Sequence, residues 1–199
     1  MAAKFQSFGI PATADNSPSG WSIPAVRMPD STYIMDSRAI ADALEKMKPE
    51  PSFQLQSGYV ERVQNSVLEA MKPLTPITMP RIPELLLNES SANYFRDTRA
   101  KRFGMPLNEY AKCDKAGEIA WSNAKPHIQA LTSILHENEG GPYVLGIDPS
   151  YPDLILAGLW VFVNRLDKGG DLFGRIMGHD EALLKHWEAC QDFISRDDH

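Results

Sequence analysis

The chain has 199 residues, of which 43% are hydrophobic, and carries a formal net charge of −6 at pH 7. This apolar fraction is enough for a folded core and argues against a disordered protein. The acidic balance disfavours nucleic acid as a partner, because phosphate binding requires a basic face. The length suits one medium domain, or a fragment plus a domain.

The cysteines and the apolar runs indicate the compartment. Cys113 and Cys190 are too few for a disulfide framework and lack the spacing of metal ligands. A reduced, cytoplasmic setting is the simpler interpretation. Residues 1–9 have no signal-peptide pattern, and the longest apolar run, 154–163, is far shorter than the ~20 residues of a membrane span. We therefore expect neither a metal site nor a membrane partner.

The first fifty residues predict a small α/β element. Residues 2–8 suit one or two helical turns, and the segment 12–20, rich in Asn, Ser, Pro and Gly, is typical of a loop. Two short strands at 23–27 and 32–35 are joined by a tight hairpin. Asp36 or Ser37 then caps a helix that ends before two prolines. This element spans 1–50, and a linker follows to about residue 57.

From residue 57 onward the apolar periodicity is helical throughout, so a second, all-helical domain spans 57–199. The first helix of this domain is followed by prolines at 73, 76, 80 and 83. Because a regular helix interior does not accept so many prolines, we expect a kinked or interrupted segment that lines a cleft; a plain linker loop is the alternative. Further helices are predicted near 91–103, where Gly104 acts as a left-handed terminator, from Trp121 to Gly140-Gly141, and near 151–167 and 181–195. The buried stripe predicted for the last helix is Leu183, Leu184, Trp187, Cys190 and Ile194.

A capping box is predicted where the second-last of these helices begins. The Ser150 hydroxyl can accept the N–H three residues on, while the Asp153 carboxylate reaches back to the Ser150 N–H. Pro152 lies in the first turn, where its missing donor has no cost. The residues that follow are apolar almost all round, which predicts a central, buried helix.

Two patterns together resemble the glutathione S-transferase family. Residues 22–40, with Pro24, a hairpin and Asp36-Ser37, are similar to the second half of its thioredoxin-like domain. The Ser150–Asp153 box, about 115 residues further on, is similar to the box of its helical domain. Residues 79–87 are closest to a fungal branch that is related to bacterial β-etherases. The expected fold is mainly α: a partial thioredoxin-like element, followed by an all-helical C-terminal domain.

The resemblance implies a glutathione site at Ile23, Pro24, Asp36 and Ser37. In the family, the proline is cis and the residue before it, here Ile23, pairs its backbone with the cysteinyl part of glutathione. Asp36 would accept the ammonium of the γ-glutamyl end, and Ser37 would donate to its carboxylate. On residues alone, Asp36-Ser37 is an ordinary helix N-cap and Pro24 an edge-strand proline.

The implied function is glutathione-dependent conjugation or ether cleavage of a small electrophile. The family takes its thiol-activating residue from a strand and helix that precede this pattern, and neither Ser7 nor Ser17 has that setting. We therefore predict no catalytic residue here and an impaired reaction. The alternative is a catalytically silent binding or scaffold protein. An unpaired strand edge also allows a homodimer.

Overall fold

The computed structural model describes residues 2–12, 20–138 and 140–195, and its chain divides into two compact units, Met1–Leu55 and Gln56–His199. The first unit contains helix α1 (Ala2–Ser7), strands β1 (Ala25–Arg27) and β2 (Tyr33–Met35), and helix α2 (Ser37–Met47). The second contains α3 (Gly58–Met71), α4 (Thr75–Leu85), α5 (Glu89–Phe103), α6 (Leu107–Tyr110), α7 (Glu118–His136), α8 (Tyr151–Arg165), α9 (Phe173–Met177), α10 (Glu181–Ala189) and α11 (Gln191–Ile194). Most of the predicted loop at 12–20 lies outside the described residues.

The predicted hairpin is confirmed. β1 and β2 pair antiparallel with Ala25 opposite Met35. The turn closes where the N–H of Ser31 donates to the carbonyl of Met28 at 2.9 Å, and Asp30 accepts the N–H of Thr32 at 2.9 Å. β1 is shorter than predicted, because Ile23 and Pro24 precede the paired residues. α2 begins and ends as the sequence predicts.

The helical unit has one core, built mainly by α3, α7 and α8. Its fully buried side chains include Val63 of α3, Leu131 of α7 and Trp160 of α8. The predicted central helix is therefore confirmed as α8. The Gly104 terminator is confirmed as well, since it follows α5 with a φ of 72°.

The proline-rich segment is interrupted, as expected, but it is helical rather than a linker loop. α3 ends at Met71, and α4 begins at Thr75 with a proline in its first turn. Pro80 and Pro83 both lie inside α4. Arg81 anchors this helix, because its guanidinium donates to the carbonyl of Leu166 at 3.0 Å and to Asp171 at 2.8 Å.

The last predicted helix needs two corrections. It is divided into α10 and α11, with Cys190 at the junction. Leu184 is exposed, whereas His186 is fully buried and takes a place in the core. The polar histidine can occupy this place because both of its ring nitrogens have hydrogen-bond partners.

Candidate functional site

Four residues meet where β1 begins and β2 gives way to α2. The N–H of Asp36 donates to the carbonyl of Pro24 at 3.2 Å, which extends the Ala25–Met35 register by one residue. Directly opposed residues of antiparallel strands lie about 4.5–5.5 Å apart. The fold therefore brings together Ile23, Pro24, Asp36 and Ser37, which we call the hairpin junction.

Ile23 presents its backbone at this junction. The Ile23–Pro24 peptide bond is cis, and residue Ile23 is 71% exposed. Among the residues that the structure describes, neither the N–H nor the C=O of Ile23 has a hydrogen-bond partner. Both groups can therefore pair with an extended peptide-like ligand.

Asp36 caps α2 from a strained conformation. Its carboxylate accepts the N–H groups of Arg38 at 2.9 Å and Ala39 at 3.5 Å. Its φ of 81° and ψ of 128° form a combination that residues other than glycine rarely adopt. Such strain costs about 1–3 kcal/mol and concentrates at functional sites. The choice that the sequence left open between Asp36 and Ser37 as the cap is decided in favour of Asp36.

Ser37 is the first residue of α2, and it is exposed. Its hydroxyl and its backbone N–H bind no other residue in the described part of the chain. The N-terminus of a helix also carries a positive partial charge. Two adjacent donors in this field suit a carboxylate.

The junction can hold a ligand, but its side chains do not activate a thiol. A thiol becomes nucleophilic when a donor or a positive charge stabilises its thiolate. Ser37 already lies at the helix terminus, and Asp36 carries negative charge. The Ser7 hydroxyl is occupied within α1, where it donates to the carbonyl of Lys4 at 2.8 Å. Ser17 lies outside the described residues.

The predicted capping box is present at the start of α8. The Asp153 carboxylate accepts the Ser150 N–H at 2.8 Å, and the Ser150 hydroxyl donates to the same oxygen at 2.6 Å. Both residues are buried.

Comparison with known proteins identifies the family. Residues 55–193 match the family model of the glutathione S-transferase C-terminal domain. The chain belongs to the glutathione S-transferase superfamily. It is 26% identical over 193 residues to the glutathione S-transferase-like protein ustS of Aspergillus flavus, covering 87% of this chain and 68% of that protein.

Solved fungal structures share the fold of this chain. A glutathione S-transferase of Ceriporiopsis subvermispora, solved in complex with glutathione, matches with a TM-score of 0.80 and 23% identity, over 100% of this chain and 82% of that one. Glutathione transferase GSTFuA3 from Phanerochaete chrysosporium matches with a TM-score of 0.75 and 23% identity, over 94% and 76% of the two chains. The expected superfamily, its fungal branch and the mainly helical fold are confirmed.

Sequence reasoning missed a buried polar network in the helical unit, which joins α8 to α10. Indole Nε1 of Trp160 donates to Nδ1 of His186 at 3.0 Å, so the ring carries its proton on Nε2. That Nε2 lies 3.0 Å from Asp153 Oδ1, to which it donates, and this oxygen also accepts the Val144 N–H at 2.7 Å. The Asp153 side chain of the capping box therefore also connects two helices and a loop.

The Cys190 thiol beside this network is not a reactive group. Its sulfur lies 3.6 Å from Nδ1 of His186, and the residue is fully buried. Burial, together with the negative charge of Asp153, raises the pKa of Cys190 to about 12. A thiol with so high a pKa stays protonated near neutral pH, which agrees with the predicted core role.

The expected cleft beside the proline-rich segment is an open groove of about 530 Å³ between the end of α4 and α8. Most of its lining residues are apolar in type, and one side chain carries a guanidinium. The lining residues are Leu85, Leu86, Gly158, Val161, Phe162 and Arg165.

Neither a membrane-spanning helix nor a metal cluster is found in the part of the chain that the structure describes. No helix there combines the length and the apolar character that a membrane span requires. The same residues contain no group of three or more His, Cys, Asp or Glu side chains arranged to hold a metal ion.

Proposed function

We propose that this chain binds glutathione at the hairpin junction and uses it in conjugation or ether cleavage of a small electrophile. The observation that carries the proposal is the pair of unoccupied donors on Ser37, next to the unpaired backbone of Ile23. A γ-glutamyl carboxylate needs such donors, and a cysteinyl backbone needs such an edge. The solved Ceriporiopsis subvermispora relative is described in complex with glutathione, which supports the choice of ligand.

Each residue has a distinct role in this proposal. Ser37 donates its hydroxyl and N–H to the glutamyl carboxylate, and the terminus of α2 stabilises that negative charge. Asp36 holds the start of α2 in place and supplies negative charge for the ammonium. Ile23 aligns the cysteinyl part, while Pro24 accepts the Asp36 N–H that joins the two sides. Glutathione itself, when bound, supplies the thiol that attacks the electrophile.

Turnover by these residues alone is expected to be weak. The four junction residues offer no group that stabilises a thiolate, and a thiol with an ordinary pKa is mostly protonated at neutral pH. The same observation favours the second candidate function, a glutathione-binding protein without transferase activity. The two functions share the binding site and differ only in whether the bound thiol reacts.

Calorimetric titration with glutathione tests the site. Ser37→Ala should weaken binding about tenfold or more, because a hydrogen bond to a charged group contributes about 1.5–3 kcal/mol. Ser7→Ala is the matched control, since it removes an exposed serine hydroxyl from the same unit. An affinity unchanged in Ser37→Ala, or no binding by the unmodified chain, would overturn the assignment.

Activity assays separate the two functions. The chain should bind glutathione yet convert a chloro-aromatic electrophile and an aryl ether only slightly above the uncatalysed rate. No measurable turnover with either class, at saturating glutathione, would favour the silent binding protein. Fast turnover would show that a residue outside the hairpin junction activates the thiol.

A further inference from the structure

A second pocket, with a polar lining, lies in the helical unit beside the exposed face of α7. Three of its residues, Ser122, Lys125 and Gln129, recur at helical spacing and point to one side of that helix. Arg175 of α9 and His179 of the following turn close the opposite side. The pocket has a volume of about 470 Å³, within the range of small-molecule sites. Trp121 and Gly178 complete the lining.

The lining of this pocket is positively charged, although the whole chain carries −6. The described residues that line it include Lys125, Arg175 and His179 but no carboxylate. Arg175 is partly neutralised, since it forms two 2.6 Å bonds with Glu118 and lies over the Trp121 ring at 4.4 Å.

Lys125 and His179 are not neutralised in this way. Neither side chain forms an ion pair or a hydrogen bond with any described residue. Asp180, the carboxylate next to His179 in sequence, instead pairs with His136 at 3.1 Å. Two basic groups therefore face one open, mostly exposed pocket without a counter-charge.

We propose that this pocket binds a tetrahedral oxyanion of the phosphate type, either free or carried on a small organic molecule. Lys125 supplies a charged donor, His179 supplies a second one when its ring is protonated, and the Ser122 hydroxyl and the Gln129 amide supply neutral ones. A dianion with several acceptor oxygens uses donors from both sides of the pocket, whereas a single carboxylate uses fewer of them. The site lies within the helical unit and does not depend on the glutathione proposal.

The protonation of His179 links this site to pH. Partial burial lowers the pKa of His179 from its ordinary value, and the charges of Lys125 and Arg175 lower it further. Two carboxylates adjoin these residues: Glu118 binds Arg175, and Asp180, next to His179 in sequence, accepts the Ala182 N–H and lies 3.1 Å from Nε2 of His136. A bound anion favours the protonated ring, so it raises the pKa of His179. Anion affinity consequently rises as the pH falls through that pKa.

Sulfate is the first probe, because it remains a dianion throughout the range in which histidine titrates. The His179 ring resonance should shift saturably with sulfate in an NMR titration of the full chain. Affinity should fall about tenfold in Lys125→Ala, as expected for the loss of one charge-assisted contact. Lys101→Ala, on the exposed surface of α5, should leave it unchanged. Lowering the pH from about 7.5 to about 5.5 should tighten binding, and His179→Gln should remove this pH effect.

Two further probes identify the source of the oxyanion. Inorganic phosphate and glycerol phosphate should both compete with sulfate. Tighter binding of the ester indicates an organic phosphate, and equal affinities indicate the free anion; both results support the site. Non-saturable shifts, or an affinity that Lys125→Ala and Lys101→Ala reduce equally, would overturn it. Circular dichroism of each variant verifies that the helices are intact.

Discussion

At the scale of single residues, Asp153 combines complete burial with several hydrogen bonds. It is fully buried and accepts hydrogen bonds from Val144, Ser150 and His186. A buried carboxylate is costly unless its oxygens are satisfied, and here both oxygens are. The side chain thus fixes the start of α8 and its position against α10.

The ionisation of Asp153 predicts a pH dependence of stability. Burial favours the neutral acid, but the hydrogen bonds from His186, Ser150 and the Val144 N–H outweigh it and lower the pKa of Asp153. The native state therefore holds this proton less tightly than the unfolded chain. The resulting stabilisation is complete above the ordinary Asp pKa of about 4 and is lost as the pH falls through the native pKa.

Urea unfolding between about pH 5 and pH 2 measures this effect. The free energy of unfolding should fall more steeply in the unmodified chain than in Asp153→Asn, which cannot titrate at this position. Asp148→Asn, which changes an exposed aspartate in the same loop, should retain the steep slope. Equal slopes in all three proteins would show that Asp153 has the same pKa in the native and unfolded states.

At the scale of elements, the capping box predicts coupled mutational effects. Ser150→Ala should lower the free energy of unfolding by about 0.5–2 kcal/mol, because it removes the cap of a central helix. Asp153→Ala should lower it by at least about 3 kcal/mol, since it leaves several buried donors without an acceptor. The double variant should be far less destabilised than the sum of the two, as expected for residues in one network. Additive losses, no larger than that of the exposed control Ser91→Ala, would contradict the network.

Two glycines at helix termini, one at the start of α3 and one after the end of α5, predict opposite effects of substitution by alanine. Gly104 ends α5 with a φ of 72°, whereas Gly58 begins α3 with ordinary backbone geometry; an added Cβ meets no atom within 4 Å at either position. Gly104→Ala should therefore destabilise the protein by about 1–2 kcal/mol, the cost of the left-handed conformation. Gly58→Ala should be neutral or stabilise by up to about 1 kcal/mol. Thermal unfolding of both variants checks the opposite signs.

At the scale of the whole molecule, the two units differ in how much core each contains. The main cluster of buried apolar residues lies entirely within the helical unit, from Val63 to Leu183. The first unit has a two-stranded sheet, and a sheet of this size is marginal on its own. The stability of the helical unit is thus built from its own contacts.

Separate expression of the two units tests this difference. Residues 56–199 should give a helical circular dichroism spectrum and a cooperative thermal transition by themselves. Residues 1–55 should show neither, because their few buried side chains do not offset the entropy of ordering the chain. A folded 1–55 fragment, or a 56–199 fragment without a cooperative transition, would contradict the prediction.

The sequence by itself determined the local features of this protein. The hairpin, the α2 cap, the Gly104 terminator and the Ser150–Asp153 box each depend on bonds between residues a few positions apart. Their residue types therefore predict them directly. The same local pattern indicated the four residues of the hairpin junction and the superfamily. The helical state of the proline-rich segment was harder to predict, because local propensity disfavours prolines inside a helix. Tertiary contacts, here those of Arg81, hold this helix in place despite its prolines.

Only the tertiary structure decided the features that join distant parts of the chain. His186 gave no sign in the sequence of being buried, since its partners Trp160 and Asp153 lie on another helix. Lys125 and His179 converge on one pocket although more than fifty residues separate them. At the hairpin junction, the sequence indicated which residues are involved. The tertiary structure showed that β1 pairs with β2 and that the donors of Ser37 have no partner among the described residues. Burial and convergence arise from packing between elements, and the periodicity of a single element does not specify its neighbours.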